Sequence, residues 1–260
     1  MSIDYRRDGH IVTITINRPQ SRNSLDMAHF HALKQAWVKF KDDRSSWVAV
    51  ITGVGDAFCT GADLKQFIPE LTGDLPKPPG WNREDAIHAV LHRFPIYKPI
   101  VAAVNGLCVA GGLELLGSTD IRVATPDARF ALMEPKRGLF AGGGSTVRLP
   151  RQMPWPHAME LLLTGDMVSA DRAMAMGLIN TVVPREDLVE TAYDYAQRIA
   201  ANAPLAIAAT KQSALEGLGF PLEEAYENES RLCDMVFASD DAKEGPLAFS
   251  EKRAAAWTGR

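Results

Sequence analysis

Two glutamates each interrupt an apolar run. Glu114 sits inside residues 113–116, otherwise all leucine, and Glu134 closes the apolar stretch 130–133 just before Pro135. A carboxylate in such surroundings either has a structural partner or works as an acid or base. A residue at a strand end, as Glu134 is expected to be, can equally be a solvated one. Spacing alone does not show that the two meet. Glycine-rich junctions lie nearby: Gly61-Ala62 and Gly111-Gly112 each follow a short apolar run and precede a helical pattern. Such junctions let a ligand approach the backbone and expose amides at a helix N terminus. If the two converged, they would offer two N–H donors to one oxygen, the design of an oxyanion hole. Taken singly, each glycine equally serves tight packing.

Other constellations carry less. His88 and His92 have i, i+4 spacing but no HExxH pattern, so no metal site is expected. His29 and His31 read as helix-surface residues. The run Gly142-Gly143-Gly144-Ser145-Thr146 lacks the lysine of a phosphate-binding loop. No GxGxxG follows the first strand, and Ser145 is not in a GxSxG elbow. These absences argue against a nucleotide hydrolase and a serine hydrolase.

The elements that must position these residues show in the periodicity. Residues 11–17 alternate and predict a half-buried strand stopped at Arg18-Pro19. Ser24 reads as an N-cap for a helix carrying Phe30, Leu33, Trp37 and Phe40. A strand is expected over 47–52, closed by Gly53, then a glycine-punctuated loop and a short helix from Ala62. The proline-rich stretch 72–82 reads as a surface loop beside a binding site. Strands follow at 100–104 and 121–124, with a helix after Gly111-Gly112. Ser169 caps a helix that Gly177 ends, residues 178–183 read as a strand, and the chain beyond Leu188 is almost wholly helical. Strand, loop and helix in alternation predict an α/β architecture.

The 260 residues are 46% hydrophobic and 23% charged, with a net charge of −4. That is an ordinary globular composition and favours neither nucleic-acid nor membrane-surface binding. Cys59, Cys108 and Cys233 are scattered, which suggests neither a disulfide framework nor a zinc site. The polar start lacks the features of a signal peptide, and the apolar stretch 99–117 is broken by Asn105, Glu114 and four glycines. A cytoplasmic protein is the expectation.

Three segments, 53–64, 98–115 and 128–144, resemble in order and spacing the crotonase (enoyl-CoA hydratase/isomerase) superfamily. The resemblance extends to Asn17-Arg18-Pro19 through Asn23-Ser24-Leu25, to Leu162-Leu163-Thr164-Gly165, to Ala173 with Gly177-Leu178-Ile179, and to residues 249–253. It implies a spiral of repeated ββα units over residues 1–190 and a helical trimerisation region over 191–260, in a homotrimer or a dimer of trimers. It implies that the Ala62 and Gly111 amides hold a thioester oxygen and that Glu114 and Glu134 are the catalytic carboxyls. Arg22, Ser24, Ala62, Asp63, Leu64 and Gly111 should lie along coenzyme A, which is part of the substrate, with no separate cofactor. The implied reaction is hydration of a 2-enoyl-CoA thioester. An isomerase or a carnitinyl-CoA-type dehydratase on the same fold is the alternative, and a non-catalytic acyl-CoA-binding protein a more remote one. Two departures from the family pattern are Ala110, where many members have glycine, and Met133, where many have proline. Phe67, Trp81, Leu139 and Phe140 are candidates for an acyl pocket.

Overall fold

A computed structural model describes residues 3–76 and 82–260. The chain opens with an antiparallel pair, β1 (Ile3–Asp8) and β2 (Ile11–Ile16). The alternation in β2 is used as expected. Val12, Ile14 and Ile16 enter the main core, while Thr13 turns to the other face and its hydroxyl meets that of Tyr193.

Helix α1 (Met27–Asp42) buries Phe30, Leu33, Trp37 and Phe40 along one stripe. Its N-cap is Asp26, whose carboxylate accepts the His29 amide at 3.0 Å, and not Ser24. The reason is non-local. Leu25 forms a parallel bridge with Ala62: the Leu25 amide donates to Gly61 O and the Asp63 amide to Leu25 O, both at 2.8 Å. The backbone stays extended through Leu25, so the helix begins only beyond it. His29 is correspondingly not a surface residue. Its ring nitrogen contacts the Asp26 carboxylate and its side chain is 12% exposed, whereas His31 is well exposed.

Three strand pairs then wind as a spiral. They are β3 (Val48–Gly53) with β4 (Ala57–Cys59), β5 (Ile100–Val104) with β6 (Leu107–Val109), and β7 (Ile121–Ala124) with β8 (Arg129–Ala131). The first strand of each pair enters a six-stranded sheet and the second a four-stranded one. Helices follow each pair: α2 (Phe67–Thr72) and α3 (Arg83–Ala89), then α4 (Gly111–Leu116), then α5 (Ser145–Gln152) and α6 (Trp155–Thr164). The chain passes next through β9 (Val168–Ser169), α7 (Ala170–Ala175) and β10 (Thr181–Val182). The large sheet runs β1-β2-β3-β5-β7-β10 and is parallel from β2 onward. The small one runs β4-β6-β8-β9, with β9 antiparallel.

The unbroken apolar runs of β3 and β5 arise because the large sheet is covered on both faces. Ala49, Ile51, Ile100, Ala102 and Val104 point into the main core. Val48, Val50, Val101 and Ala103 point into a second cluster, closed by Leu188, Ala192 and Ala196 of α8 (Leu188–Ala200). Each buried valine, leucine or isoleucine among them contributes about 1.5–3 kcal/mol over an exposed one. The remaining helices, α9 (Pro204–Gly217), α10 (Leu222–Phe237) and α11 (Asp240–Glu251), bury few side chains of their own, and Leu218, Leu222, Phe237 and Phe249 are exposed.

Two further expectations need correction. The helix expected from Ala62 starts at Phe67, because the bridge to Leu25 and a turn at 64–66 come first. The strand expected over 178–183 is only Thr181–Val182. Upstream of it the Arg122 guanidinium takes the Leu178 carbonyl, and the Asn180 side chain takes the Arg122 amide in place of ladder bonds. Of the proline-rich stretch, residues 77–81 lie outside the described residues, Trp81 among them. Among the described residues no helix is long and apolar enough to cross a membrane.

Candidate active site

The spiral brings three consecutive strand ends to one edge. β4, β6 and β8 are parallel neighbours, so their C-terminal ends lie side by side, where ligands of parallel sheets characteristically bind. From β4 the chain runs into Gly61-Ala62, from β6 into Ala110-Gly111, and from β8 toward Glu134. The Ala110 amide, bonded to Ala131 O at 2.8 Å, ties the second and third ends together.

The first two ends contribute amides. Gly111 is the first residue of α4, so its N–H has no carbonyl of its own helix to bond. The Ala62 amide is free for a different reason from the helix terminus the sequence suggested. In the bridge, Gly61 O and Asp63 N–H face Leu25, so the N–H of Ala62 points the opposite way. Among the described residues neither amide has a protein acceptor. The two junctions touch. A Cβ placed on Gly61 would fall 2.6 Å from Gly111 N, and one on Gly111 would fall 3.7 Å from Ala62 N. Glycine at 61, with φ +81°, keeps the gap between the amides open. Gly112 lets α4 sit directly on β4, since a Cβ there would meet Cys59 O at 2.1 Å. Ala110 holds φ +51° and ψ −127°, a conformation that favours glycine, so its methyl group is carried under strain.

The carboxyls come from the second and third turns. Glu114 lies one helical turn beyond Gly111, and helical side chains tilt toward the N terminus, so its carboxyl stays near that amide. The residue is 7% exposed and its Oε1 accepts the Gly143 N–H at 2.6 Å. Only glycine fits at 143, because a Cβ would lie 2.4 Å from Glu114 Oε2. Burial first, and then the charge of Glu134, push the Glu114 carboxyl up to about 7, against the opposing pull of the Gly143 and Ser145 amides and Arg148. Burial also raises Glu134, opposed by its own backbone amide and by Arg137. Glu134 Oε2 is buried with no hydrogen-bond partner among the described residues. With the Glu134 charge adding to burial, Glu114 is the carboxyl that keeps its proton toward neutral pH.

The other expected site residues are distributed unevenly. Arg22, with φ +51°, lines a cavity of about 230 Å³ with Pro19, Val54, Gly55 and Asp56. Ser24 and Asp63 are both engaged by Arg18: its Nη1 lies 3.1 Å from Ser24 Oγ and 3.0 Å from Asp63 Oδ2, and its Nη2 is 3.3 Å from Asp26. Leu64 is half exposed. Phe67 does not suit the acyl pocket, since it is 8% exposed and packs in the main core against Phe30. Phe140 is 77% exposed and Leu139 half-buried. Among the described residues no group of histidine, cysteine, aspartate and glutamate could hold a metal, His88 and His92 included. Sequence reasoning missed Gly143 and Arg148. The triple glycine ahead of a helix was a signal for the first. An arginine flanked by Val147 and Leu149 was a weak one for the second.

Two free amides meeting beside a buried and a half-buried carboxyl could serve a carbonyl compound that gains negative charge on oxygen while protons move at neighbouring carbons. That class has a family match: the enoyl-CoA hydratase/isomerase family model covers residues 6–260, and the chain belongs to this family. It is 42% identical over 248 residues to the enoyl-CoA hydratase EchA19 of Mycobacterium tuberculosis, spanning 95% of this chain and 93% of that one. It is 37% identical over 264 residues to a carnitinyl-CoA dehydratase of Salmonella typhi, spanning 100% and 99%. Its fold superposes on a crystal structure of an enoyl-CoA hydratase from Mycobacterium tuberculosis with a TM-score of 0.89 at 37% identity, covering 100% and 99% of the two chains. The spiral α/β architecture expected from the sequence is thus the one observed.

Proposed function

We propose that this chain is an enoyl-CoA hydratase, a hydro-lyase that reversibly adds water syn across the 2,3 double bond of a 2-enoyl-CoA thioester to give a 3-hydroxyacyl-CoA. The observation that carries this reading is the convergence of two unengaged amides, Ala62 and Gly111, beside the buried carboxyl of Glu114 and the half-buried Glu134. In this scheme the amides hold the thioester oxygen. As water oxygen bonds to C3, electron density moves through C2 to that oxygen, and each preorganised donor stabilises the transition state by about 3–4 kcal/mol. Glu114 takes a proton from the water and Glu134 delivers one to C2. The reactive form needs its charge on Glu114, where the Gly143 amide donates, and its proton on Glu134, the reverse of the distribution that burial and the Glu134 charge favour in the free enzyme. Acid–base assistance of this kind typically contributes about 10²–10⁴-fold. No metal or redox cofactor enters the scheme. Arg22, Ser24 and the 62–64 segment would lie along the CoA moiety.

A 2-enoyl-CoA incubated in ¹⁸O-water should give labelled 3-hydroxyacyl-CoA, and Glu134→Gln should lower that rate at least about 10²-fold while saturated acyl-CoA still binds. Rapid double-bond migration without ¹⁸O would make the protein an isomerase. Tight binding without turnover would make it a non-catalytic acyl-CoA binder. The reading includes assembly as a homotrimer or a dimer of trimers, supported by the exposed apolar side chains of the C-terminal helices and of Trp155 and Leu163. Light scattering at three or six chains is expected, and a monomer at micromolar concentration would overturn it.

A further inference from the structure

Arg148 is half-buried in α5, and among the described residues it forms no direct ion pair. Its guanidinium instead collects backbone carbonyls from three segments. Nη2 donates to Leu91 O at 2.6 Å, and Nη1 donates to Gly143 O at 3.0 Å and lies 3.5 Å from Glu114 O. Two of these segments are awkward pieces of chain. Leu91 has φ +57° and Arg93 φ +55° in the turn after α3, and Gly144 has φ +116°. Gly143 and Gly144 make adjoining sockets: a Cβ on the first would strike the Glu114 carboxyl, and one on the second would fall 2.6 Å from Arg148 Nη1. Gly143 is therefore held from both sides, its N–H on Glu114 Oε1 and its C=O on Arg148.

We infer that Arg148 is a positioning residue that keeps the Gly143 amide on Glu114. The inference rests on the hydratase reading for its kinetic consequence but not for its geometry. The charged and titratable groups around this point are Glu114 from α4, Glu134 and Arg137 after β8, His92 and Arg93 after α3, and Arg122 from β7. Of the cations, Arg148 is the one whose charge lowers Glu114 directly, and Glu114 in turn supports the charge of Arg148. Lysine at 148 would keep the charge but, as a compact ammonium on a flexible stem, could not span the same carbonyls in one plane.

The test compares wild type, Arg148→Met and Arg148→Lys by two readouts. One is the ¹³C NMR titration of glutamate carboxyls in the free enzyme, with Glu114→Gln assigning the resonance. The other is the pH dependence of hydration. In the Met variant the Glu114 midpoint should move upward from about 7, the acidic limb of kcat/KM, below which the base is protonated, should follow it, and kcat should fall roughly 10²-fold with KM within about threefold. In the Lys variant the midpoint should stay near that of wild type, with kcat recovering about tenfold of the loss. A folded Met variant with unmoved titration and pH limb would reduce Arg148 to a structural brace and overturn the inference. If the Met variant fails to fold, the Lys variant decides: wild-type kcat in it would overturn the positioning role, and a reduced kcat with an unmoved midpoint would support it. Should wild type prove not to hydrate enoyl-CoA, the NMR arm still judges the inference separately from the function.

Discussion

Glu114 should be a site where the protein gives up stability for chemistry, and Glu114→Gln measures how much. Its carboxyl lies at about 7 in the folded chain against 4.5 when unperturbed. The sign follows from linkage. Because folding raises this acid's pKa, the folded state takes up a proton between the two values. The cost of an ionised buried carboxyl is absent below about pH 4.5, grows as pH rises, and is complete above about pH 7. At 1.36 kcal/mol per pH unit the full cost is ~3 kcal/mol. Glutamine removes the charge and keeps one acceptor for the Gly143 amide. It gives up the second acceptor that the Ser145 amide uses, a loss of about 1 kcal/mol. The variant should therefore be about 2 kcal/mol more stable than wild type near pH 8, and no more stable near pH 4.5. Urea unfolding at fixed protein concentration at both pH values reads this directly, and for a chain of this size it corresponds to a rise in Tm of roughly 4–8 °C near pH 8. Equal stability near pH 8, or an advantage that persists unchanged in acid, would refute the claim that burial and Glu134 hold this carboxyl up.

Gly61→Ala should lower kcat for hydration by about 10²-fold, because its Cβ would press within 2.6 Å of Gly111 N where the thioester oxygen has to sit; a steady-state assay on folded protein giving full kcat would remove the amide gap from the mechanism. Ala110→Gly should raise the urea-unfolding free energy by about 1 kcal/mol, since φ +51° with ψ −127° strains an alanine and not a glycine; a loss of stability would mean that the Ala110 methyl is held by packing that outweighs the strain.

How much of this could be read from the chain depended on whether the cause was local. β2, β5 and β7 were legible because alternation or unbroken apolarity over a few residues reports which faces are covered. The Ser169 cap was legible because cap and capped amide are three residues apart, and the Ser169 hydroxyl does accept the Arg172 N–H. The start of α1 and the helix expected at Ala62 were misplaced by a single event, the bridge between Leu25 and Ala62, which no window of either segment contains. Glu114 and Glu134 drew attention as charges in apolar runs, but their meeting is a property of the spiral. Arg148 escaped notice, and Gly143 stood only as one of a glycine run, for the same reason: what makes them matter is contact with Glu114 and Leu91, far away in the chain.

The division of labour along the spiral explains how the repeat can supply both amides and both carboxyls of the proposed site at one edge. Each ββα turn returns the chain to the small sheet one strand further on, so each strand end offers one position facing the same space. The first turn spends its position on the Ala62 amide, and the second supplies both the Gly111 amide and, a helical turn later, Glu114. The third supplies Glu134, and the glycine loop that follows supplies the donor that steadies Glu114. Groups on separate turns cannot slide together through local fraying, because each is fixed by its own strand and by a glycine contact with its neighbour, as Gly112 on Cys59 and Gly61 on Gly111 are. On the proposed hydratase reading, donors fixed in this way need not reorganise as charge moves onto the thioester oxygen, which is the condition under which backbone amides stabilise a transition state most.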